Sequence, residues 1–153
     1  MEANELEYVG FGPRLWAFVI DSVLISIVLL ALLFGLFGAD HLAEGVILTG
    51  STNILFSYVL PAIAVLAFWI IKNATPGKMA IGATIVDAGS GRAPSARQHI
   101  IRYIGYFVST IPLGLGFFWI LLDKRKQGWH DKLAGTVVVR RKQHGGEPVK
   151  FAD

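Results

Sequence analysis

Asp21 is the residue of this sequence best placed to do chemistry. It ends the stretch RLWAFVID (residues 14–21), at the start of an apolar run that continues to Phe37. A carboxylate inside such a run is costly, and by default it marks a function such as taking up a proton or a cation. Arg14 shares its helix face at i, i+7, but about 10 Å away along the axis, so the two need not touch. Arg102, in a later apolar run, is expected at a similar depth and is the better-matched partner, since a charge-assisted pair would neutralise both groups. Two chemistries are open. Asp21 could bind a proton or cation reversibly, with Arg102 or Arg14 tuning its pKa, or it could form a permanent ion pair that locks helices together.

The other polar groups promise less. His130 and Asp131 are adjacent, so on a helix they point to different faces, and no serine or cysteine nucleophile stands out beside them. No enzymatic activity is expected. Asp131 is instead expected to act as a cap or to pair locally with basic residues such as Lys78 or Arg97, docking the tail under the helices. His41, His99, His130 and His144 lack metal-ligand spacing, so neither a metal nor a cofactor is expected. GSG at residues 89–91 reads as a turn and lacks the pattern of a phosphate loop.

The elements that must position these groups are those of a membrane protein. Hydrophobic residues make up 54% of the 153 and charged residues 16%, where a soluble domain is nearer a quarter charged. The apolar residues are clumped. Residues 15–37 and 54–71 are each long enough to cross a hydrocarbon core of ~30 Å, and Pro61 predicts a kink in the second. Residues 73–98 are polar. Thr75-Pro76 opens a short helix, AIGATIVD is a strand, and the spacing of Ser95 and Gln98 predicts a capped helix from about Ala96. The third apolar run, residues 99–122, is interrupted at PLGLG, where Pro112, Gly114 and Gly116 form a hinge. The tail, residues 123–153, is basic and contains a second strand, TVVVRR. The chain has no cysteine, which removes disulfides and thiolate metal sites. Its acidic first ten residues are unlike a signal peptide.

Counting charges orients the chain. If the third run folds back at PLGLG, the N-terminal segment, the middle section and the tail share one side, with one, four and eight Lys or Arg. The loop over residues 40–53, with none, lies opposite. A single crossing would leave both sides basic. The positive-inside rule therefore favours two full spans plus a broken helical hairpin, with both termini cytoplasmic and the two strands paired there. The expected fold is an all-α integral membrane domain with a small cytoplasmic β element, in the cell membrane. The net charge of +3 is explained by basic residues beside apolar spans, where they meet lipid head groups, so nucleic-acid binding is not expected.

The stretches RLWAFVID, ATPGKMAIGATIVD, Arg102, IPLGLGFFWILLD and QGWHDKLAGTVVV, in that order, resemble the RDD family of small membrane proteins. The family's name refers to an arginine at the start of the first helix and two aspartates, the first within that helix. Arg14 and Asp21 match the first two. Asp131 is the stronger match for the second aspartate and Asp123 the weaker. The resemblance implies a membrane protein for which transport, including cation/proton exchange, has been proposed. The expected function is ion or solute transport by a homo-oligomer, because so few helices cannot enclose an aqueous path alone. The rival is a non-transporting scaffold, assembly factor or tether whose basic cytoplasmic face binds a partner or anionic lipid.

Overall fold

A computed structural model describes residues 5–43, 54–142 and 148–151; the polar loop expected over residues 40–53 lies mostly outside them. Strand β1 (Leu6–Tyr8) leads into helix α1 (Phe11–Ala43), whose residues Phe11–Gly38 are apolar enough to cross a membrane. Gly38, just past the end of the apolar run at Phe37, breaks this helix at φ 78°, and helix resumes to Ala43. The second span, Leu55–Lys72, carries the irregularity expected of Pro61 in a specific form. Leu55–Val59 is wound as a π-helix before α2 (Leu60–Lys72), with the Leu60 N–H reaching back five residues to the Leu55 carbonyl. Proline has no N–H to give to a carbonyl one turn back, and the widened turn absorbs the mismatch. Almost none of the residues in either span are buried within the chain.

The polar section folds as a short helix, α3 (Pro76–Ala80), and strand β2 (Ala83–Asp87). Helix α4 (Ala96–Thr110) starts at a capping box in which the Ser95 hydroxyl accepts the Gln98 N–H and the Gln98 side chain accepts the Ser95 N–H. Leu113 (φ 53°) and Gly114 (φ 78°) then turn the chain into α5 (Leu115–Leu122). The two helices meet at 101°, so the apolar pair is bent like an elbow rather than fully reversed. Pro112 and Gly114 lie in this turn. Gly116 does not, contrary to its expected hinge role: it is buried in α5, where a Cβ would come within 2.6 Å of the Ser109 Cα. Its lack of a side chain serves close packing of α5 on α4.

Helix α6 (Trp129–Ala134) and strand β3 (Thr136–Arg141) complete the chain's core. β3 is the centre of a three-stranded antiparallel sheet, with β2 on one side and β1 on the other. The β2–β3 pairing agrees with the sequence reading; β1 does not appear in it. Val137 and Val139 pack with Leu6, Val86 and Val149 on one face. Val138 packs on the other with Val9, Ile85 and Trp69. β3 is therefore apolar on both sides and reads as a continuous β-branched run rather than an alternating strand.

The candidate charged site

The charged side chains gather where α1, α3, α4 and α6 meet above the sheet. Asp131 is their centre and is fully buried. It lies in the first turn of α6, where its Oδ2 accepts the Gly128 N–H at 3.0 Å and caps the helix. The same oxygen accepts Arg14 Nη1 at 2.5 Å, and Oδ1 pairs with Arg102 Nη1. Arg14 also donates its Nε to the Val9 carbonyl (2.8 Å) and Nη2 to the Lys126 carbonyl (2.7 Å). Arg102 donates to Thr136 Oγ1 at 2.9 Å and stacks over Trp69, its Cζ 5.4 Å from the ring centroid. One carboxylate thus ties the first span, the bent helix pair and the sheet together. Burial alone would raise the Asp131 pKa, but Arg102 and Arg14 outweigh it and hold the carboxyl well below its usual range.

This arrangement corrects the expected pairings. Arg102 and Arg14 converge on Asp131, not on Asp21. Lys78 and Arg97 do not pair with Asp131; Arg97 is exposed on the first turn of α4. An expected depth along the helices says nothing of the direction in which Arg102 points. His99, Arg102, Gly105 and Ser109 form the buried face of α4, and that face is turned toward α6. A Cβ on Gly105 would lie 2.8 Å from the His130 Cα, so the glycine is what lets the two helices meet this closely. His130, next to Asp131, puts Nδ1 3.3 Å from the Ser109 hydroxyl and packs among Tyr106 and Phe117. Burial is the main cause that pushes its pKa down to about 3, so it is neutral at ordinary pH.

Asp21 has different partners. Its Oδ2 accepts the Thr75 hydroxyl at 2.5 Å and its Oδ1 the Gly77 N–H at 2.6 Å. It therefore clamps the first turn of α3 against the side of α1. Gly77 is needed for the approach, since a Cβ there would collide with the backbone carbonyl of Ala17. Lys78, half-buried on the next position of α3, places Nζ 3.5 Å from Thr75 Oγ1 and 5.5 Å from the centroid of Trp69. Trp69, near the end of the second span, is fully buried between these groups. Thr75 and Gly77 as hydrogen-bond donors to Asp21 were missed from sequence. The available signal was the helix start at TPG, where free N–H groups attract a carboxylate.

Asp123 has a local role. It pairs with Lys132, and its Oδ2 accepts the N–H groups of Arg125 (3.0 Å) and Gln127 (3.1 Å). Among the described residues no group of three His, Cys, Asp or Glu is placed to hold a metal ion.

Two helices apolar enough to cross a bilayer, a bent apolar pair and a polar base organised on buried arginine–aspartate pairs define a small helical membrane protein. The chain belongs to the RDD family, whose profile matches residues 8–135, most of its length. It is also similar to an uncharacterized protein of Rickettsia prowazekii (strain Madrid E), RP437, at 40% identity over 96 residues. That match covers 61% of this chain and 50% of the relative, so the chain spans about half the length of that protein. No solved structure matches it.

Proposed function

We propose that this protein exchanges a monovalent cation for a proton across the cell membrane, working as a homo-oligomer with Asp21 as the cation-binding carboxylate. One observation carries this reading. The two arginines that could have neutralised Asp21 are both spent on Asp131, and Asp21 is left with neutral hydrogen-bond donors at the edge of the first span. A carboxylate held by neutral donors keeps its charge available to a mobile ion, whereas one locked to a guanidinium does not. Support for an oligomer comes from the two spans, few of whose described residues are buried within one chain. The pairing of β1, β2 and β3 in one sheet supports an orientation with both termini on one side, and the charge count favours the cytoplasm for that side.

The test is flux. Proteoliposomes containing the full chain and a trapped pH dye are exposed to Li⁺, Na⁺ or K⁺ gradients. The expected result is cation-dependent proton movement that Asp21→Asn abolishes while the purified variant keeps the wild-type elution volume. Unchanged flux in Asp21→Asn, or none in the wild type, overturns the reading. The rival tether is favoured by the exposure of Arg141 and Lys142 beside Arg140, which is itself held by Glu7 at 2.6 Å. Absent flux together with binding to anionic vesicles that is lost on changing Arg141 and Lys142 to Ser would establish that rival.

A further inference from the structure

The two outer edges of the sheet are closed in different ways. At β2 the Ile85 N–H donates to the Asn73 carbonyl (2.8 Å) and the Asp87 N–H to the Arg92 carbonyl (2.9 Å). Both acceptors belong to the same polar section as β2, so its own chain neighbours seal that edge. At β1 the cover is residues 148–151, and they lie there as a bound peptide would. The Val149 N–H donates to the Leu6 carbonyl at 3.2 Å. The Tyr8 hydroxyl donates to the Lys150 carbonyl (2.9 Å) and accepts the Lys150 N–H (3.1 Å), and Arg125 Nη2 donates to the same carbonyl at 3.4 Å. These bonds hold main chain and are indifferent to residue type. Selectivity falls to alternate side chains. Val149 is buried with Leu6, Val137 and Val139, and Phe151 packs at Gly91, where a Cβ would come within 2.8 Å of its ring. Lys150, between them, is exposed. Main-chain bonds at a strand edge, with room for every second side chain, are how a sheet takes up an extended peptide.

We infer that the outer side of β1 is a docking site for an extended segment of a partner protein, held in cis by residues 148–151 as a tethered competitor. The partner segment carries an aliphatic residue, an aromatic residue two positions on, and a carboxylate beyond each. The apolar spacing follows from the Val149 and Phe151 positions. The charge follows from the cations at the two ends of the seat. Exposed Arg141 stands opposite Leu6 in the sheet, and Arg125 reaches Lys150. The chain's own segment obeys the same pattern, with Glu147 two positions before Val149 and Asp153 two after Phe151. Tyr8 stands three residues before α1 begins at Phe11, so whatever occupies the seat also holds the start of the first span against the sheet.

The probe is a fluorescein-labelled peptide with the sequence of residues 147–153, EPVKFAD, followed by anisotropy on the detergent-solubilised full chain. A protease site placed within residues 143–147 leaves the seat unaltered and cuts the tether. The expected result is weak binding before cutting and an apparent affinity about tenfold higher after it, because the competitor loses its high local concentration. The uncut double variant Val149→Ala, Phe151→Ala should show the same gain. Elution volume and thermal unfolding identify a variant that fails to fold, and the cut chain then carries the comparison. The peptide EPAKAAD should bind neither form, and QPVKFAN should bind more weakly than EPVKFAD at low salt. No gain on cutting a folded chain, or equal binding of EPAKAAD, overturns the docking site. Equal binding of QPVKFAN overturns the charge assignment. A fall in the mass of the solubilised assembly on adding EPVKFAD would give the seat to a second copy and overturn the separate partner.

Discussion

Asp131 and Asp21 are held by the same first helix in opposite ways. Asp131 is fully buried and receives two guanidinium groups, one of them from α1 through Arg14. Asp21, two turns further along α1, is half-buried and receives a hydroxyl and an amide N–H. The difference separates two uses of a buried charge. A carboxylate between two arginines is fixed, because removing any member leaves uncompensated charge in a low-dielectric interior. A carboxylate with neutral donors keeps an attraction for any cation that can reach it. Here the fixed pair builds the platform on which the responsive one sits, since Arg14 anchors the start of α1 to the sheet side of the molecule.

The largest effect should come from Asp131. Asp131→Asn preserves volume but leaves Arg14 and Arg102 without a counter-charge, at a cost of about 3–5 kcal/mol. Chemical unfolding in detergent should show this as a large loss of stability, and folded yield should fall. A loss under ~1 kcal/mol would erase the distinction between the two aspartates. Replacing Asp21 by Asn should leave the fold standing, which is why its flux phenotype can be read as function.

His130 gives the next effect, through pH. Its folded pKa, about 3, is below the ordinary value of 6.5, so the unfolded chain binds more protons between those values. Stability is therefore full above pH 6.5 and falls as the solution is acidified toward 3, by up to about 1.4 kcal/mol per pH unit. Asp131 acts lower. Its depressed folded pKa gives stability that is present above its unfolded value of 3.8 and is lost as pH falls below it. Over the interval from 6.5 to 4 His130 acts together with His99, whose pKa burial also lowers, to about 4, so unfolding curves across it should become shallower, though not flat, in His130→Gln. An equally steep decline in that variant would show that the acid sensitivity arises elsewhere in the base.

The sequence made the spans, the break at PLGLG and the β2–β3 pair legible because each rests on a local signal: apolar length, Pro and Gly, and a β-branched run. β1 was not legible. It is three residues, Leu6–Tyr8, with Glu7 in the middle, and only the sheet edge offered by β3 makes it a strand. The charged residues themselves stood out, but their partners did not. Helix depth placed Arg102 and Asp21 at one level, while the azimuth that sends Arg102 to α6 depends on Gly105 meeting His130, a contact between segments 25 residues apart in the chain. Asp21's partners lie across a chain reversal, and one of them is a main-chain N–H that no residue type announces.

The smallest effect distinguishes the two aspartates of the tail. Asp123 and Asp131 both take a basic partner, and either could match the family's second aspartate from sequence. Asp123, however, ends α5 at the surface side of the base. Its pair is Lys132, whose side chain is 44% exposed, and its other bonds are to the N–H groups of its own turn. Exposure lets water replace the lysine, so the ion pair itself contributes at most about 1 kcal/mol. The turn's hydrogen bonds survive in part with an amide oxygen as acceptor. Asp123→Asn should therefore cost on the order of 1 kcal/mol, several-fold less than Asp131→Asn in the same unfolding assay, and Lys132→Ala less still. Equal losses at 123 and 131 would mean that burial between two arginines is not what sets Asp131 apart. The expected inequality would mark Asp131, with Arg14, as the residue that holds the first span to the sheet.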